Sequence, residues 1–337
     1  MKTPTHFKDA VTGLIFLLGT LAATAANANP IAEFPLPISS PNSIVFGPDG
    51  NLWFTEQVGR IGRVHRDGTS LTEFFTPAAG SGLRQVVVGP DNNLWFVEVT
   101  SQKIGRIEMD GTTTEFSTRC SPSGYITSGP NNSVWFPENC TGETHLSEMA
   151  TLGAAAGTIK EHTLGTAVSR ILDTIATGAD GNIWFGDYFR GTVLRLEVST
   201  KTLKEFLVPG VPFATLGPVI RGPDDKIWVS FNETIARITV DGGIDEFSLP
   251  DDGDAINSMT AAPDGSVWAT EYDGVLRRIV MTPSGISSSR YPVRHDSGLT
   301  SIAPGPRGKL WFTEYNAEII GNIYSDAIFF DSLDDEP

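Results

Sequence analysis

Basic residues are scarce in this chain. Of its 337 residues, 24 are Lys or Arg and 40 are Asp or Glu, which gives a formal net charge of −16. A protein of this charge gains neither counterion release from nucleic acid nor attraction to anionic lipid. We therefore expect no nucleic-acid partner, and an acidic surface that keeps an exported protein in solution.

Long apolar runs are absent after the first 28 residues, and no later stretch approaches the roughly 20 apolar residues that a membrane-spanning helix needs. At the start of the chain, Lys2 and Lys8 lead an apolar run over 11–21, and Ala26-Asn27-Ala28 fits a small-x-small cleavage site. We predict a signal peptide over 1–28 and a mature protein without a membrane span. It is expected to be exported, either to the periplasm or out of the cell.

Cysteine is limited to Cys120 and Cys140. This number excludes cysteine-rich zinc and redox sites, because no C-x-x-C motif or further ligand accompanies the pair. In an oxidising compartment two cysteines usually form one structural disulfide, and we predict that bond here.

Motifs of common catalytic sites are also missing: the chain has no G-x-S-x-G, no H-E-x-x-H and no P-loop. After the predicted signal the only histidines are His65, His145, His162 and His295. We expect His65 and His162 to be solvated surface residues.

Tryptophan, in contrast, follows a rule. All seven Trp residues end copies of the phrase G-x-[DN]-[GND]-x-[LIV]-W, with Ala262 in place of the Gly before Trp268 and Arg307 in place of the Asp or Asn before Trp311. They are spaced 40 to 49 residues apart, at Trp53, Trp95, Trp135, Trp184, Trp228, Trp268 and Trp311. Repeats of this length with several strand-like runs in each copy are typical of β-propellers. We expect the seven Trp residues to pack in the core rather than to stack on a ligand.

One repeat contains four predicted strands. In the first copy these are 43–46, 51–56, 60–64 and 71–74, and Asp49-Gly50 marks a hairpin between the first two. The seventh copy lacks its outer strand, whereas Ile31-Ala32-Glu33-Phe34-Pro35 at the mature N-terminus matches the outer strands of the other copies. The predicted fold is therefore all-β: a seven-bladed β-propeller with four-stranded antiparallel blades, closed by the N-terminal strand.

The chain is therefore predicted to consist of a signal peptide (1–28), one propeller domain (29–324) and an acidic tail (325–337). We expect the protein to be monomeric. The tail could be an outer strand, a loose end or an export-related tag.

Two sets of positions are expected beside the central channel, where functional residues of propellers gather. The ends of the Trp strands give a mostly acidic ring, with Phe231 as its exception: Glu56, Glu98, Glu138, Asp187, Phe231, Glu271 and Glu314. The starts of the inner strands give a varied polar ring: Asn42, Arg84, Gly124, Asp173, Gly217, Asn257 and Thr300.

Clustered carboxylates repel one another unless cations share the site, so a divalent metal is one interpretation of the acidic ring. The other interpretation is that these acids were duplicated with the repeat and hydrogen-bond to the backbone or to arginine. Repetition favours the second, because a site normally breaks the symmetry of its scaffold. Arg84 and Asp173, each the only charge of its sign in the polar ring, are such breaks.

Three phrases resemble the streptogramin B lyase (virginiamycin B lyase) family: GPDGNLWFTE over 47–56, KIGRI over 103–107 and LWFTE over 310–314. The resemblance covers about 31–324 and implies a seven-bladed propeller. It also implies an enzyme that opens a cyclic depsipeptide antibiotic at its ester linkage by elimination, with Mg²⁺, a general-base His and supporting carboxylates.

The chain departs from that pattern at the base. The family's catalytic His opens the inner strand of a late blade, where this sequence has Asn257 in the sixth copy and Thr300 in the seventh. Glu271 and Glu314 are retained at the ends of the Trp strands. Neither Asn nor Thr accepts a proton near neutral pH as imidazole does, so we expect the antibiotic-lyase reaction to be impaired.

Two hypotheses follow. In the first, the protein is a metal-dependent lyase or hydrolase of a small cyclic or ester substrate, with Glu271 or Glu314 as base and Glu56 and Glu314 holding Mg²⁺. The substrate would contact Asn42, Arg84, Asp173, Asn257 and Thr300. In the second, the same face binds a small-molecule, peptide or protein ligand without turnover.

Overall fold

The computed structural model describes residues 31–37, 40–78, 80–141, 143–164, 172–187, 190–209, 216–231, 234–249, 254–293 and 298–325. The predicted signal peptide, His295 and the tail beyond Ser325 lie outside these residues. No helix in the described ranges is long and apolar enough to cross a membrane.

The described residues form seven antiparallel sheets, and these are the blades of a propeller, as predicted. The first three blades comprise β2 (Pro41–Phe46), β3 (Asn51–Glu56), β4 (Arg60–His65) and β5 (Thr72–Phe75); β6 (Leu83–Val88), β7 (Leu94–Glu98), β8 (Lys103–Ile107) and β9 (Thr113–Ser117); then β10 (Ser121–Pro122), β11 (Thr127–Gly129), β12 (Ser133–Cys140), β13 (Glu143–Ala150) and β14 (Ile159–Thr163).

Blades four and five comprise β15 (Leu172–Thr177), β16 (Ile183–Asp187), β17 (Thr192–Glu197) and β18 (Thr202–Leu207), then β19 (Leu216–Arg221), β20 (Ile227–Phe231), β21 (Thr234–Ile238) and β22 (Ile244–Ser248). Blades six and seven comprise β23 (Ile256–Ala261), β24 (Val267–Glu271), β25 (Val275–Thr282) and β26 (Gly285–Pro292), then β27 (Leu299–Pro304), β28 (Lys309–Glu314), β29 (Ile319–Tyr324) and β1 (Ile31–Pro35). Two short 3-10 turns lie at Gly153–Ala155 and Pro306–Gly308.

In four blades the Asp of the repeated phrase accepts a hydrogen bond from the buried tryptophan. In the first blade, Asp49 Oδ1 accepts hydrogen bonds from the Trp53 indole Nε1 at 3.0 Å and from the Asn51 amide at 3.1 Å. The same Asp-to-Trp bond recurs at Trp95, Trp184 and Trp228. In this blade the first glycine of the phrase is needed for space, because a Cβ on Gly47 would lie 2.5 Å from Trp53 Cδ1.

Every tryptophan is at most 1% exposed, which confirms that the seven are core residues. Six of them stack on a ring from the outer strand of the same blade: Phe34 on Trp311, Phe74 on Trp53, Phe116 on Trp95, His162 on Trp135, Phe206 on Trp184 and Tyr291 on Trp268. The apolar side chains of the Trp strands are covered by neighbouring blades, as Trp53 of blade one belongs to one apolar cluster with Leu83 and Leu94 of blade two.

The prediction of a solvated His162 is wrong. His162 is 8% exposed, stacks on Trp135 with ring centroids 5.0 Å apart, and places Nε2 2.9 Å from Glu148 Oε2. It occupies the outer-strand position that Phe fills in other blades. His65, in contrast, is exposed as expected.

Ring closure follows the predicted route. β1 pairs antiparallel with β29, from Ile31 opposite Ile323 to Pro35 opposite Ile319. The Leu36 amide continues the ladder by donating to the Glu318 carbonyl at 2.8 Å. Both ends of the propeller therefore meet in one blade, and the innermost strands contact one another in an unbroken ring around the axis.

The innermost strands are irregular where they begin. A register shift occurs between Pro41 and Ile44, and equivalent shifts occur in blades two, four, five, six and seven. A bulge changes the direction of the side chains, so that they no longer alternate between the two faces of the sheet. In blade three the innermost strand is broken outright into β10 and β11, which both pair with β12.

The bulges also join neighbouring blades. The second bulge residue accepts a hydrogen bond from a backbone amide of the next blade at four junctions: Ser43 from Val86 at 3.2 Å, Gln85 from Ile126 at 2.8 Å, Thr174 from Val219 at 2.8 Å and Ser301 from Ile44 at 3.3 Å. These buried or half-buried bonds fix the position of the first bulge residue beside each junction.

The predicted disulfide is present. Cys120 and Cys140 are bonded with their Cα atoms 5.3 Å apart, and they tie the segment before β10 to the end of β12. The bond closes a loop of 20 residues at the face where the innermost strands begin.

Phe34→Ala should weaken the closing strand, because it removes the ring that stacks on Trp311. We expect the free energy of unfolding to fall by about 2 kcal/mol, less than for a fully buried Phe. The control is Phe75→Ala, since Phe75 is 75% exposed on an outer strand, and it should change stability by less than about 0.5 kcal/mol. Urea unfolding measures both, and equal effects would contradict the proposed importance of this stack.

Candidate functional site

An axial cavity of about 480 Å³ opens at the face where the innermost strands begin. It adjoins a second space of about 270 Å³ beside blades four to six. Its wall is made mainly of bulge residues, and it includes all five residues predicted to contact a ligand: Asn42, Arg84, Asp173, Asn257 and Thr300. The structure therefore brings these five side chains together around one opening.

Arg84 and Asp173 are the only charged residues that line the cavity in the described part of the chain. They lie on blades two and four and form no ion pair within 4.0 Å. Burial raises the pKa of the Asp173 carboxyl above its usual value, and attraction to Arg84 opposes that rise. The cavity thus contains one positive and one negative side chain on opposite sides of blade three.

Several further lining residues escaped prediction. Tyr125 lies on the broken innermost strand of blade three, and Val99 and Tyr272 follow the ends of Trp strands. The second bulge residues, such as Ser258, also line the cavity. Strand alternation predicts only every second residue on one face, so two consecutive lining residues could not be found without knowledge of the bulge.

The acidic ring occupies a different place from the one predicted. Glu56, Glu98, Glu271 and Glu314 are 0% exposed, and Glu138 and Asp187 are 1% exposed. None of them lines the axial cavity. The Trp strand is second from the axis, so the innermost strand covers its side chains and the acids lie within the body of the propeller.

Partners from the same blade account for several of these acids. Glu56 lies 3.0 Å from Arg60 Nε, Glu98 accepts from Ser101 Oγ at 2.5 Å, and the carboxylate of Glu138 accepts from Ser147 and from the amide of Cys120. This arrangement matches the second interpretation of the ring, in which the acids came with the repeat and support the scaffold.

Blade six has the most developed of these clusters. The guanidinium of Arg277, itself 0% exposed, donates to Glu271 Oε1, and Arg290 donates to Glu271 Oε2 at 2.8 Å. Arg277 stands where blades one and two have the glycine of the I-G-R motif. Because both oxygens of Glu271 are bound and the side chain lies outside the cavity, it is not placed to take a proton from a ligand there.

The predicted magnesium ligands can be compared with what the ion requires. Mg²⁺ binds oxygen ligands in near-octahedral geometry, usually one or two carboxylates with several waters. Glu56 and Glu314 are buried in neighbouring blades away from the cavity, and no group of three or more His, Cys, Asp or Glu in the described ranges could hold a metal. These residues do not fit the expected magnesium site.

Histidine is equally absent from the described wall of the cavity. His145 is 2% exposed in blade three, where its Nε2 lies 3.1 Å from Glu143 Oε2. Asn257 and Thr300 lie at the cavity, at the positions where the family resemblance predicts a catalytic His. Asn257 Nδ2 donates to the Leu299 carbonyl at 2.7 Å, and Thr300 Oγ1 donates to the Pro41 carbonyl at 3.2 Å.

Comparison with known proteins places the chain among relatives of this architecture. The model of the virginiamycin B lyase family matches residues 19–210 and 126–281, which together make up more than half of the chain. The chain belongs to the virginiamycin B lyase family. The resemblance inferred from the sequence phrases is thereby confirmed.

Individual members of the virginiamycin B lyase family give the same picture. The chain is 30% identical to virginiamycin B lyase of Nocardia farcinica (strain IFM 10152) over 234 residues, covering 67% of this chain and 76% of the relative. A crystal structure of a catalytically inactive His-to-Ala virginiamycin B lyase from Staphylococcus aureus with quinupristin superposes with a TM-score of 0.77 at 26% identity, covering 87% of this chain and 98% of that one. A streptogramin B lyase structure gives a TM-score of 0.76 at 25% identity, with coverages of 87% and 96%.

The buried acids predict a pH dependence of stability. Burial raises the pKa of the Glu98 carboxyl from 4.5 to about 7, and the Ser101 hydrogen bond opposes the rise. A carboxyl whose pKa is higher in the folded than in the unfolded chain stabilises the fold below the unfolded pKa, and this contribution is lost as the pH rises through the folded pKa. The free energy of unfolding should therefore fall between pH 4.5 and about pH 7.

Glu98→Gln should remove about 1–3 kcal/mol of that fall, because the amide does not titrate. Urea unfolding at a series of pH values measures the slope. Glu108→Gln in the same blade is the control, since the side chain of Glu108 is 43% exposed. An unchanged slope in Glu98→Gln would show that this carboxyl is ionised throughout the range.

Proposed function

We propose that the protein is an exported propeller that binds a small peptide-like ligand in its axial cavity and does not catalyse the ring opening that characterises its family. The observation that carries this proposal is the composition of the cavity wall. The wall combines polar, aromatic and oppositely charged side chains, and its lining residues come from all seven blades. Ligand sites of this kind combine apolar walls with a few placed polar groups.

The catalytic alternative is a lyase or hydrolase with Glu271 or Glu314 as base. It is favoured by the retention of both residues at the ends of their Trp strands. Against it, both carboxylates lie outside the described cavity wall and Asn257 replaces the expected His. Dependence on Mg²⁺ stays a prediction, so the ion belongs in the assay.

Binding is tested by closing the cavity. Ser258→Trp places an indole on the cavity wall, whereas Ser287→Trp places one on the exposed outer strand of the same blade. Free amino acids, short linear peptides and cyclic dipeptides serve as probes in saturation-transfer NMR. We expect at least one class to bind the wild type and Ser287→Trp but not Ser258→Trp, because only the latter excludes a ligand sterically.

Circular dichroism should show both tryptophan variants folded. Binding that persists in a folded Ser258→Trp, or no binding of any probe class to the wild type, would contradict an axial ligand site.

Turnover is tested with quinupristin and Mg²⁺ by liquid chromatography and mass spectrometry, with the Staphylococcus aureus lyase as positive control. Elimination would open the ring to an isomer of unchanged mass, and hydrolysis would add one water. We expect neither product. Conversion that disappears in Glu314→Gln or Glu271→Gln, while Glu108→Gln retains it, would instead establish the enzyme.

Export is supported by the disulfide, because such bonds persist in oxidising compartments. We expect the full-length chain, produced in a bacterial host, to be recovered from the periplasm or medium with a mature N-terminus near Asn29 and no free thiol. N-terminal sequencing and thiol titration measure this, and a chain without residues 1–28 is the control. Uncleaved protein confined to the cytosol would be the contrary result.

A further inference from the structure

Arg84 and Asp173 attract each other across the cavity but are too far apart to form an ion pair. Neither side chain makes a hydrogen bond or ion pair with a described residue. Elsewhere the molecule pairs the acids it buries, as at Glu56 with Arg60 and at Glu271 with Arg277 and Arg290. Arg84 is exposed, whereas Asp173 is half-buried. A half-buried carboxylate without a hydrogen-bond partner needs an explanation, and a bound ligand supplies one.

The position of the two charges is also specific. They are equivalent residues of blades two and four, at the start of the innermost strand, where other blades have amides, a hydroxyl or glycine. The residue between them in the ring is Gly124 of blade three, with φ of +109°, and a Cβ there would approach Arg84 Cγ to 3.4 Å. Gly124 itself thus places no side chain between the positive and the negative group, although Ser123 and Tyr125 of the same blade also line the cavity.

The ligand chemistry follows from this arrangement. A guanidinium binds carboxylates through paired N–H donors, and a carboxylate binds ammonium groups through charge-assisted hydrogen bonds. The two charges of the cavity are more than 4.0 Å apart on non-adjacent blades. That separation alone would also admit a free α-amino acid. The cavity of about 480 Å³, however, has the size of sites that bind larger ligands, and a short peptide carries its ammonium and carboxylate further apart than an amino acid does.

We propose that the axial cavity selects a short linear peptide with free termini, whose C-terminal carboxylate binds Arg84 and whose N-terminal ammonium binds Asp173. This rests on the proposed ligand-binding function and specifies its ligand. The Asn257 side chain, whose Nδ2 is bound to Leu299, retains an Oδ1 acceptor for a peptide N–H. The ligand satisfies the two charges that the fold leaves open.

Isothermal titration calorimetry with alanine peptides tests the proposal. The probes are alanine, dialanine, trialanine and tetraalanine with free termini, and the same peptides with an acetylated N-terminus or an amidated C-terminus. For the best-binding length, which should exceed one residue, each blocking group should weaken binding by about 10- to 100-fold, the range expected for the loss of a charge-assisted hydrogen bond.

Two variants assign the ends. Arg84→Gln should abolish the effect of amidation and keep that of acetylation, while Asp173→Asn should do the reverse. Arg66→Gln and Asp110→Asn, at exposed positions of hairpin turns, should keep both effects. A general loss of folding or of cavity shape would not produce this crossed pattern.

The outcomes separate the two proposals. If blocked and free peptides bind the wild type equally, or if both charge variants reduce both effects alike, selection of free termini is wrong. If Ser258→Trp nevertheless abolishes binding of these peptides, the axial ligand site is still supported. If neither these peptides nor any probe of the broader set binds the wild type, the axial ligand site and the selection of free termini are both wrong.

Discussion

The ladder between Ile31–Pro35 and Ile319–Tyr324 completes the seventh blade and makes a ring out of a row of sheets. The axial cavity exists only because the innermost strands contact one another all the way round. Side chains from residue 42 to residue 301, distant in the chain, share one wall for this reason. A missing strand would leave an open sheet edge in blade seven and remove the support of Trp311.

Within the ring, the repeat and the site follow different rules. The Asp-to-Trp hydrogen bond recurs in four blades and the stacked outer ring in six, because both contacts support a buried tryptophan. The acids at the ends of the Trp strands belong to this repeated support, and the Glu271 cluster shows how far it can be elaborated with buried arginines. The residues that differ from blade to blade are those of the innermost strands, where the cavity lies.

Much of the fold could be predicted from the sequence, because the spacing of tryptophans and the unmatched strand at residue 31 leave few alternatives. The polar ring was also predictable, since the start of each innermost strand has a fixed distance from the hairpin phrase. The acidic ring was predicted at the channel because all strand ends on one face were assumed to be equally exposed. In the structure the innermost strand lies between each Trp strand and the axis, and the acids are buried. Tyr125 and the second bulge residues were missed because a bulge cannot be recognised from the two-residue alternation of a strand. The prediction for His162 was wrong because this residue occupies a position that usually has Phe, where it stacks on Trp135.

The closing ladder has a consequence for the order of events during synthesis. Ile31–Pro35 is synthesised before every other described strand and its partner Ile319–Tyr324 after every other one, so the two must find each other across the whole propeller. Until then the first strand has no sheet to join, and six blades can assemble while the seventh waits. Loop-closure entropy makes such distant pairing slow, so the unfinished ring presents an unpaired edge that other chains could join during this interval.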